Sequence, residues 1–130
     1  MKHILFFLAL IPSIALANNF PVPVMDRITS AIQSGNASEL GKYFDSSVEI
    51  AILDNEDIYD RNEAVAVVQT FFDTYRPTSY IQAHKGVSKS ADSEYSIGDL
   101  TAGGKAFRVY VYMKKGSGAP LIQEVRIDRK

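Results

Sequence analysis

The spacing of apolar residues predicts helices in the first part of the chain and strands in the second. After residue 23, apolar residues recur at the period of one helix face, about 3.6 residues. They are Val24, Ile28, Ala31 and Ile32. Gly35 follows at the position where a left-handed backbone ends a helix at least cost. The pattern therefore predicts a first helix over residues 24–34.

A second helix and a strand are predicted between the first helix and residue 53. A capping-box pattern over residues 36–39 starts a short helix. Its buried side would consist of Leu40, Tyr43 and Phe44. Segment 48–53, VEIAIL, is rich in β-branched residues and predicts a strand. The locally acidic segment 54–57, DNED, that follows predicts a solvated turn.

The third helix has the clearest pattern. Asp60 is a good N-cap residue with Glu63 three positions later. Pro77 ends the helix because the residue before a proline avoids helical backbone angles. One apolar face runs through the whole helix and consists of Ala64, Val67, Val68, Phe71, Phe72 and Tyr75.

After Pro77 the chain has the alternation of apolar and polar residues that is typical of strands. Turns rich in glycine and serine separate four such segments at hairpin spacing. The predicted strands cover residues 80–89, 94–101, 105–114 and 121–129. The chain is therefore predicted to be an α+β domain in the order α-α-β-α-β-β-β-β, and its last four strands should form an antiparallel meander packed on the helices.

Turn lengths and apolar faces set the expected strand pairing. The expected pairs are Leu100 with Phe107, His84 with Asp99, and Val111 with Val125. The face toward the helices then holds Ser96, Gly98, Leu100, Phe107, Val109, Val111, Gln123, Val125 and Ile127. The opposite face, which we call the outer face, holds Tyr95, Asp99, Arg108, Tyr110, Tyr112, Glu124, Arg126 and Asp128.

The first residues have the features of a cleavable signal peptide. Lys2 and His3 precede an apolar run, and Ala15 and Ala17 are the small residues that signal peptidase requires. The run is shorter than the roughly 20 residues of a membrane-spanning helix. We expect residues 1–17 to be the signal peptide and residues 18–130 to be a single exported domain, periplasmic or secreted, with no membrane association after cleavage.

Composition narrows the classes of function. The chain has no cysteine, and its formal net charge is −1 at pH 7. It has no basic run of the kind that nucleic-acid partners require, so we expect no nucleic-acid partner. The mature chain keeps one histidine, His84, and has neither a glycine-rich phosphate loop nor a complete EF-hand loop. We therefore expect no metal and no cofactor.

The order of elements and several segments resemble a known superfamily. Helix, short helix, strand, helix and four strands is the order of the nuclear-transport-factor-2-like superfamily, whose cystatin-like fold is a cone. Segment 58–64, IYDRNEA, resembles the start of its third helix. Segments VEIAILDNEDIYDRNEA, YSIGDLTAGGKAFRVYVYMKK and LIQEVRI are similar to a family of small exported bacterial proteins of unknown function within it. The resemblance implies the fold and no single activity, because the scaffold hosts enzymes and pure binding modules.

Candidate ligand-binding residues are those expected to face the interior or the mouth of the cone. They are Tyr43, Tyr59, Phe72 and Gln123. Gln123 would either hold a ligand by hydrogen bonds or satisfy a backbone group. The tyrosines, together with Tyr75, would serve either the core or a pocket for a small apolar ligand.

Two classes of function remain. The resemblance implies that an isomerase or dehydratase would place an acid, or an acid and a histidine, inside the cone, and the inward strand positions supply neither. His84 and Asp99 are expected on the outer face, where a ladder of alternating charges is favoured over catalysis. We predict a non-catalytic exported module for ligand binding or assembly, with an isomerase- or dehydratase-type enzyme as the alternative.

The outer face is the predicted interface, either of a homodimer or with another protein. Tyr95, Tyr110 and Tyr112 should cluster there beside Arg108 and Arg126, and interfaces are enriched in tyrosine and arginine. Pairing through the sheet is also what the resemblance implies. The alternative is a solvated face, because tyrosines favour strands for packing reasons as well.

Signal cleavage is testable on protein recovered from the cell envelope of an expressing strain. Because cleavage after Ala17 exposes Asn18, intact-mass measurement should show a chain that begins at Asn18. A membrane-bound chain that still carries Met1 would contradict both export and cleavage.

Overall fold

The computed structural model describes residues 22–130, which form three helices and six strands. The elements are α1 Val24–Ser34, α2 Ala37–Gly41, β1 Phe44–Ile52, β2 Asn55–Asp60, α3 Arg61–Thr74, β3 Pro77–Val87, β4 Ser93–Ala102, β5 Lys105–Lys115 and β6 Pro120–Arg129. The signal-peptide prediction lies outside the described residues. Within them, no helix has the length and apolar character needed to cross a membrane.

Local capping determines where the helices begin and end. The side chain of Asn36 accepts a hydrogen bond from the backbone N–H of Glu39 at 3.0 Å, and Asp60 accepts one from Glu63 at 2.9 Å. Gly35, with φ of 67°, ends α1 in the left-handed conformation. These contacts confirm the helix starts and the first helix end that the sequence predicts.

The six strands form one mixed sheet in the order β2-β1-β6-β5-β4-β3. β1 and β6 run parallel, and every other neighbouring pair in the sheet is antiparallel. Helices α1 and α3 pack on one face of this sheet, α1 against β3 and α3 against β1. The predicted α+β class and the cone-shaped fold are confirmed.

β2 is a strand that the sequence analysis placed in a solvated turn. It pairs with β1 through a two-residue turn at Leu53 and Asp54, and Leu53 has a φ of 54°. The expectation of a turn over residues 54–57 is therefore wrong. Aspartate, asparagine and glutamate have low intrinsic strand propensity, but pairing with an adjacent strand overrides that preference. The turn also lacks the Asn-Gly or Asp-Gly signature by which hairpins are found in a sequence.

The pairing of β4 with β5 and of β5 with β6 follows the predicted register over most of its length. Leu100 lies opposite Phe107, and Val111 lies opposite Val125, as expected. The residues predicted to face the helices are buried along these strands, with the exception of Gln123.

The predicted pairing of His84 with Asp99 is wrong. His84 lies opposite Ile97, and Asp99 lies opposite Ile81. The β3–β4 loop spans residues 88–92, one residue longer than predicted, and the register of the two strands shifts between Gln82 and His84. A hydrogen bond from the Ser88 hydroxyl to Asp92 at 2.8 Å stabilises this loop. His84 is exposed.

Gln123 does not occupy the inward position that the sequence predicts. The register of β5 and β6 shifts after Tyr112, so that Met113 lies opposite Ile122 and Gln123 is the extra residue of a bulge. Ile122 is fully buried in its place. A bulge of this kind cannot be inferred from alternation alone, because it breaks the alternation at a single position.

Aromatic packing joins α3 to the sheet. The Phe71 ring lies 5.2 Å from the Phe107 ring and 5.3 Å from the Tyr75 ring, and Tyr75 lies 5.1 Å from Phe107. These distances and tilted arrangements are favourable for aromatic pairs. Phe72 is buried in the same core.

Gly98 gives a test of packing in the β3–β4 half of the core. A methyl group added at Gly98 would collide with the ring of Tyr80, which is buried. We expect Gly98→Ala to lower the free energy of unfolding by about 1–3 kcal/mol in chemical denaturation, because a packed core tolerates added volume poorly. Gly118→Ala is the matched control, since nothing lies within 4 Å of that position. Equal stability of the two variants would show that Tyr80 does not cover Gly98.

Candidate functional site

A partly open cavity of about 550 Å³ lies between α3 and the β1–β2 hairpin. Its volume falls in the range of roughly 300–1,000 Å³ that small-molecule sites occupy. The lining residues are Ile52, Asp54, Asn55, Glu56, Asp57, Tyr59, Val67, Thr70, Phe71, Thr74 and Tyr75. The cavity therefore depends on β2, the strand that the sequence analysis did not predict.

The floor of the cavity is apolar and aromatic. Ile52 and Phe71 are buried, and Tyr59, Val67 and Tyr75 are half-buried against the core. Phe71 and Tyr75 belong to the aromatic cluster that joins α3 to the sheet. The apolar part of the lining is therefore continuous with the hydrophobic core.

The rim of the cavity is polar and acidic. Alternation along β2 places Asp57 opposite buried Ile50, on the side of the sheet that faces α3. Asp54 and Asp57 are exposed, and neither forms an ion pair within residues 22–130. One oxygen of Asp57 accepts a hydrogen bond from the backbone N–H of Ile58 at 2.8 Å.

Glu56 also lines the cavity, but its charge is engaged on the outer face. It forms an ion pair with Arg126 at 3.2 Å across β1, where both residues flank the small and buried Ala51. Its hydrogen bond with Glu49 and the charge of Arg126 lower the pKa of Glu56. The same hydrogen bond and the charge of Glu124 raise the pKa of Glu49.

The four predicted ligand-binding residues do not come together in one site. Tyr59 lines the cavity, and so does Tyr75. Tyr43 and Phe72 lie outside the cavity lining, Tyr43 half-buried beside the core and Phe72 within it. The sequence analysis missed Asp57 as a lining residue, and the alternation of Asp57 and Tyr59 before the third helix is the signal that could have identified it.

Gln123 lies in a different depression, beside the β5–β6 turn. Its side-chain NH₂ group donates hydrogen bonds to Asp45 at 2.9 Å and to the carbonyl oxygen of Leu121 at 3.3 Å. The hydrogen bond from Gln123 and the backbone N–H of Ser46 lower the pKa of Asp45. The sequence analysis gave Gln123 two alternative roles, holding a ligand or contacting a backbone group. The hydrogen bond to the carbonyl oxygen of Leu121 is a contact of the second kind.

The outer face brings together all five predicted interface residues. Tyr95 lies opposite Tyr112 in the β4–β5 pair, and the Tyr95 ring is 6.3 Å from the Tyr110 ring. Burial and the charge of Glu124 raise the pKa of Tyr110. Arg108 pairs with Asp99 at 3.5 Å, and Arg126 pairs with Glu124 at 3.4 Å as well as with Glu56.

Two exposed isoleucines add apolar surface that the sequence analysis did not assign to the outer face. Ile58 is 69% exposed and lies opposite Glu49, near one edge of the sheet. Ile81 is 66% exposed and lies opposite Asp99, on the strand at the other edge. The apolar character of this face therefore extends beyond the tyrosines.

No arrangement within residues 22–130 groups three or more acidic or histidine side chains so that they could hold a metal ion.

Comparison with known proteins identifies the family and similar folds. Residues 25–128 match the family described as Domain of unknown function (DUF4783). A DUF4783 family protein from Bacteroides ovatus is 28% identical, with 84% of this chain and 96% of that chain covered and a TM-score of 0.77. One from Bacteroides uniformis is 27% identical, with 83% and 98% covered and a TM-score of 0.78.

A more distant structure shows the fold alone. An NTF-2 like protein of unknown function from Silicibacter pomeroyi is 13% identical, with 82% of this chain and 89% of that chain covered and a TM-score of 0.60. No curated protein matches the sequence. The resemblance inferred from the sequence is confirmed: the chain belongs to the DUF4783 family, a family of unknown function with the NTF2-like fold.

Proposed function

We propose that the mature chain is an exported, non-catalytic binding module that holds a small ligand with an apolar body between α3 and the β1–β2 hairpin. The observation that carries the proposal is the cavity of about 550 Å³ with a floor of buried Ile52 and Phe71. Half-buried Tyr59, Val67 and Tyr75 beside them supply the apolar surface that a ligand would remove from water, which is favourable. The small residues at Ala15 and Ala17 behind an apolar run support export.

The positions of the acidic groups favour binding over catalysis. An isomerase or dehydratase needs an acid or base within hydrogen-bond reach of the reacting atom. The aspartates of this cavity lie exposed at its rim, and the floor beneath them is apolar. His84 is exposed on β3 and does not line the cavity. The enzyme alternative therefore lacks a positioned acid–base pair among the lining residues.

A cavity-filling substitution tests the proposed site. Thr70 is exposed on α3 and lines the cavity. Thr70→Trp places a large side chain in the cavity, so we expect it to weaken binding of neutral phenylbutanol to the mature chain about tenfold or more, measured by titration calorimetry. Ala66→Trp is the matched control, because Ala66 is exposed one turn earlier on α3 and does not line the cavity.

The two variants should unfold at the same denaturant concentration, so that a difference in binding reports the cavity. Wild-type protein that does not bind phenylbutanol, or Thr70→Trp protein that binds it as the wild type does, would contradict the proposed site.

Pairing through the outer face is a second candidate function, and the clustering of Tyr95 and Tyr110 favours it. A second copy of the chain related by a two-fold axis would place the same patch, with Tyr110 and Tyr112, on both sides of the contact. The exposed Ile58 and Ile81 enlarge the apolar surface available for such contact. This role supports assembly without requiring any ligand in the cavity.

A charge placed in the tyrosine cluster tests the second candidate. Tyr110→Glu would bury a carboxylate in a dimer interface, so we expect it to weaken association by about 2 kcal/mol or more in sedimentation equilibrium. Gln33→Glu is the control, because Gln33 is exposed on α1, which packs on the opposite face of the sheet from the tyrosines. A wild-type chain that remains monomeric at high concentration excludes a homodimer, and a Tyr110→Glu variant that still dimerises shows that another surface is used.

A further inference from the structure

We infer that the ligand of the α3–hairpin cavity is an amphipathic cation: an apolar or aromatic body that packs on the floor, with an ammonium or guanidinium group at the rim. The inference rests on the proposed function and adds the chemical class of the ligand. The cavity and its apolar floor define the site, and the charges around the opening select which ligand fits it.

The charged side chains that line the cavity are all acidic, and the cation beside it is Lys105, over the ring of Tyr75. The ionisable side chains that line the cavity, apart from tyrosines, are Asp54, Glu56 and Asp57, and no lysine or arginine among the described residues lines it. Arg126 offsets the charge of Glu56 from the other side of the sheet. Asp54 and Asp57 have no such partner within residues 22–130. A ligand cation would supply the missing opposite charge, whereas a carboxylate or phosphate would be repelled.

The floor suits the rest of the same ligand. Tyr59 and Phe71 contribute aromatic rings to the lining beneath the rim. Tyr75 contributes a third ring, but the Lys105 ammonium already lies 5.6 Å from its centroid. Aromatic faces attract cations as well as apolar groups, so a ligand with its charge near the opening gains from both kinds of contact. Asn55, Thr70 and Thr74 add polar atoms at the opening, although the hydroxyl groups of both threonines already donate to backbone carbonyl oxygens of α3.

Charge can be tested separately from apolar contact with probes that share one body. Phenylbutylamine is a cation at neutral pH, phenylbutanol is neutral and phenylbutanoate is an anion. Titration calorimetry on the mature chain should show the amine binding about fivefold to tenfold more tightly than the alcohol, as two partly solvated carboxylates would produce. Phenylbutanoate should bind least tightly. Raising the salt concentration should reduce the preference for the amine and leave alcohol binding unchanged.

Isosteric variants test whether the preference for the amine over the alcohol arises from the carboxylates at the rim. Asp54→Asn together with Asp57→Asn should remove the preference for the amine while phenylbutanol binds as before. The asparagine oxygen at position 57 can still accept the hydrogen bond from Ile58, so the hairpin should keep its fold. Asp128→Asn changes the net charge by one unit at an exposed position near the end of β6, and it should leave the preference intact.

The possible failures are distinguishable. If alcohol and amine bind equally and Thr70→Trp blocks both, the cation inference is wrong and the proposed cavity function stands. If the anion binds best, or if Asp128→Asn lowers the preference as much as the rim variants do, the inference is also wrong. If none of the three probes binds, the proposed function fails and the inference fails with it.

Discussion

The packing of α3 against the sheet is the interaction on which the rest of the structure depends. Phe71 has two roles. Its ring packs against Phe107 in the aromatic cluster, and it also forms part of the cavity floor. Aromatic side chains bury large areas and dominate core energetics, so this contact fixes how far α3 stands from the strands. The cavity lies beside this contact, between α3 and the β1–β2 hairpin.

The parallel pairing of β1 with β6 determines where that hairpin lies. Because the chain returns β6 beside β1, the β1–β2 hairpin extends the sheet past the last strand of the meander. Ala51 is small enough to lie beneath the contact between Arg126 and Glu56, which joins β6 to β2 on the outer face. This ion pair is partly exposed and contributes little free energy by itself, but it links the edge strand to the middle of the sheet.

The two faces of the sheet offer different kinds of contact. The inner face ends in a cavity with a hydrophobic floor and an acidic opening, which suits a small molecule. The outer face has tyrosines, exposed isoleucines and paired charges, which suit another protein surface. The sheet separates the two surfaces except at Glu56, which lines the cavity and also pairs with Arg126 of the outer face.

The sequence by itself determined the helices, their caps, the last four strands and most of the register, because these features follow from local periodicity and turn chemistry. It also placed Tyr95, Tyr110 and Tyr112 on one face, since alternation fixes the face of a strand residue. Tertiary structure decided what local patterns do not encode. Pairing with β1 made an acidic segment into β2, and a bulge exchanged Gln123 for Ile122 in the core. The cavity arises from contact between α3 and β2, and its floor and acidic rim meet only when the chain folds.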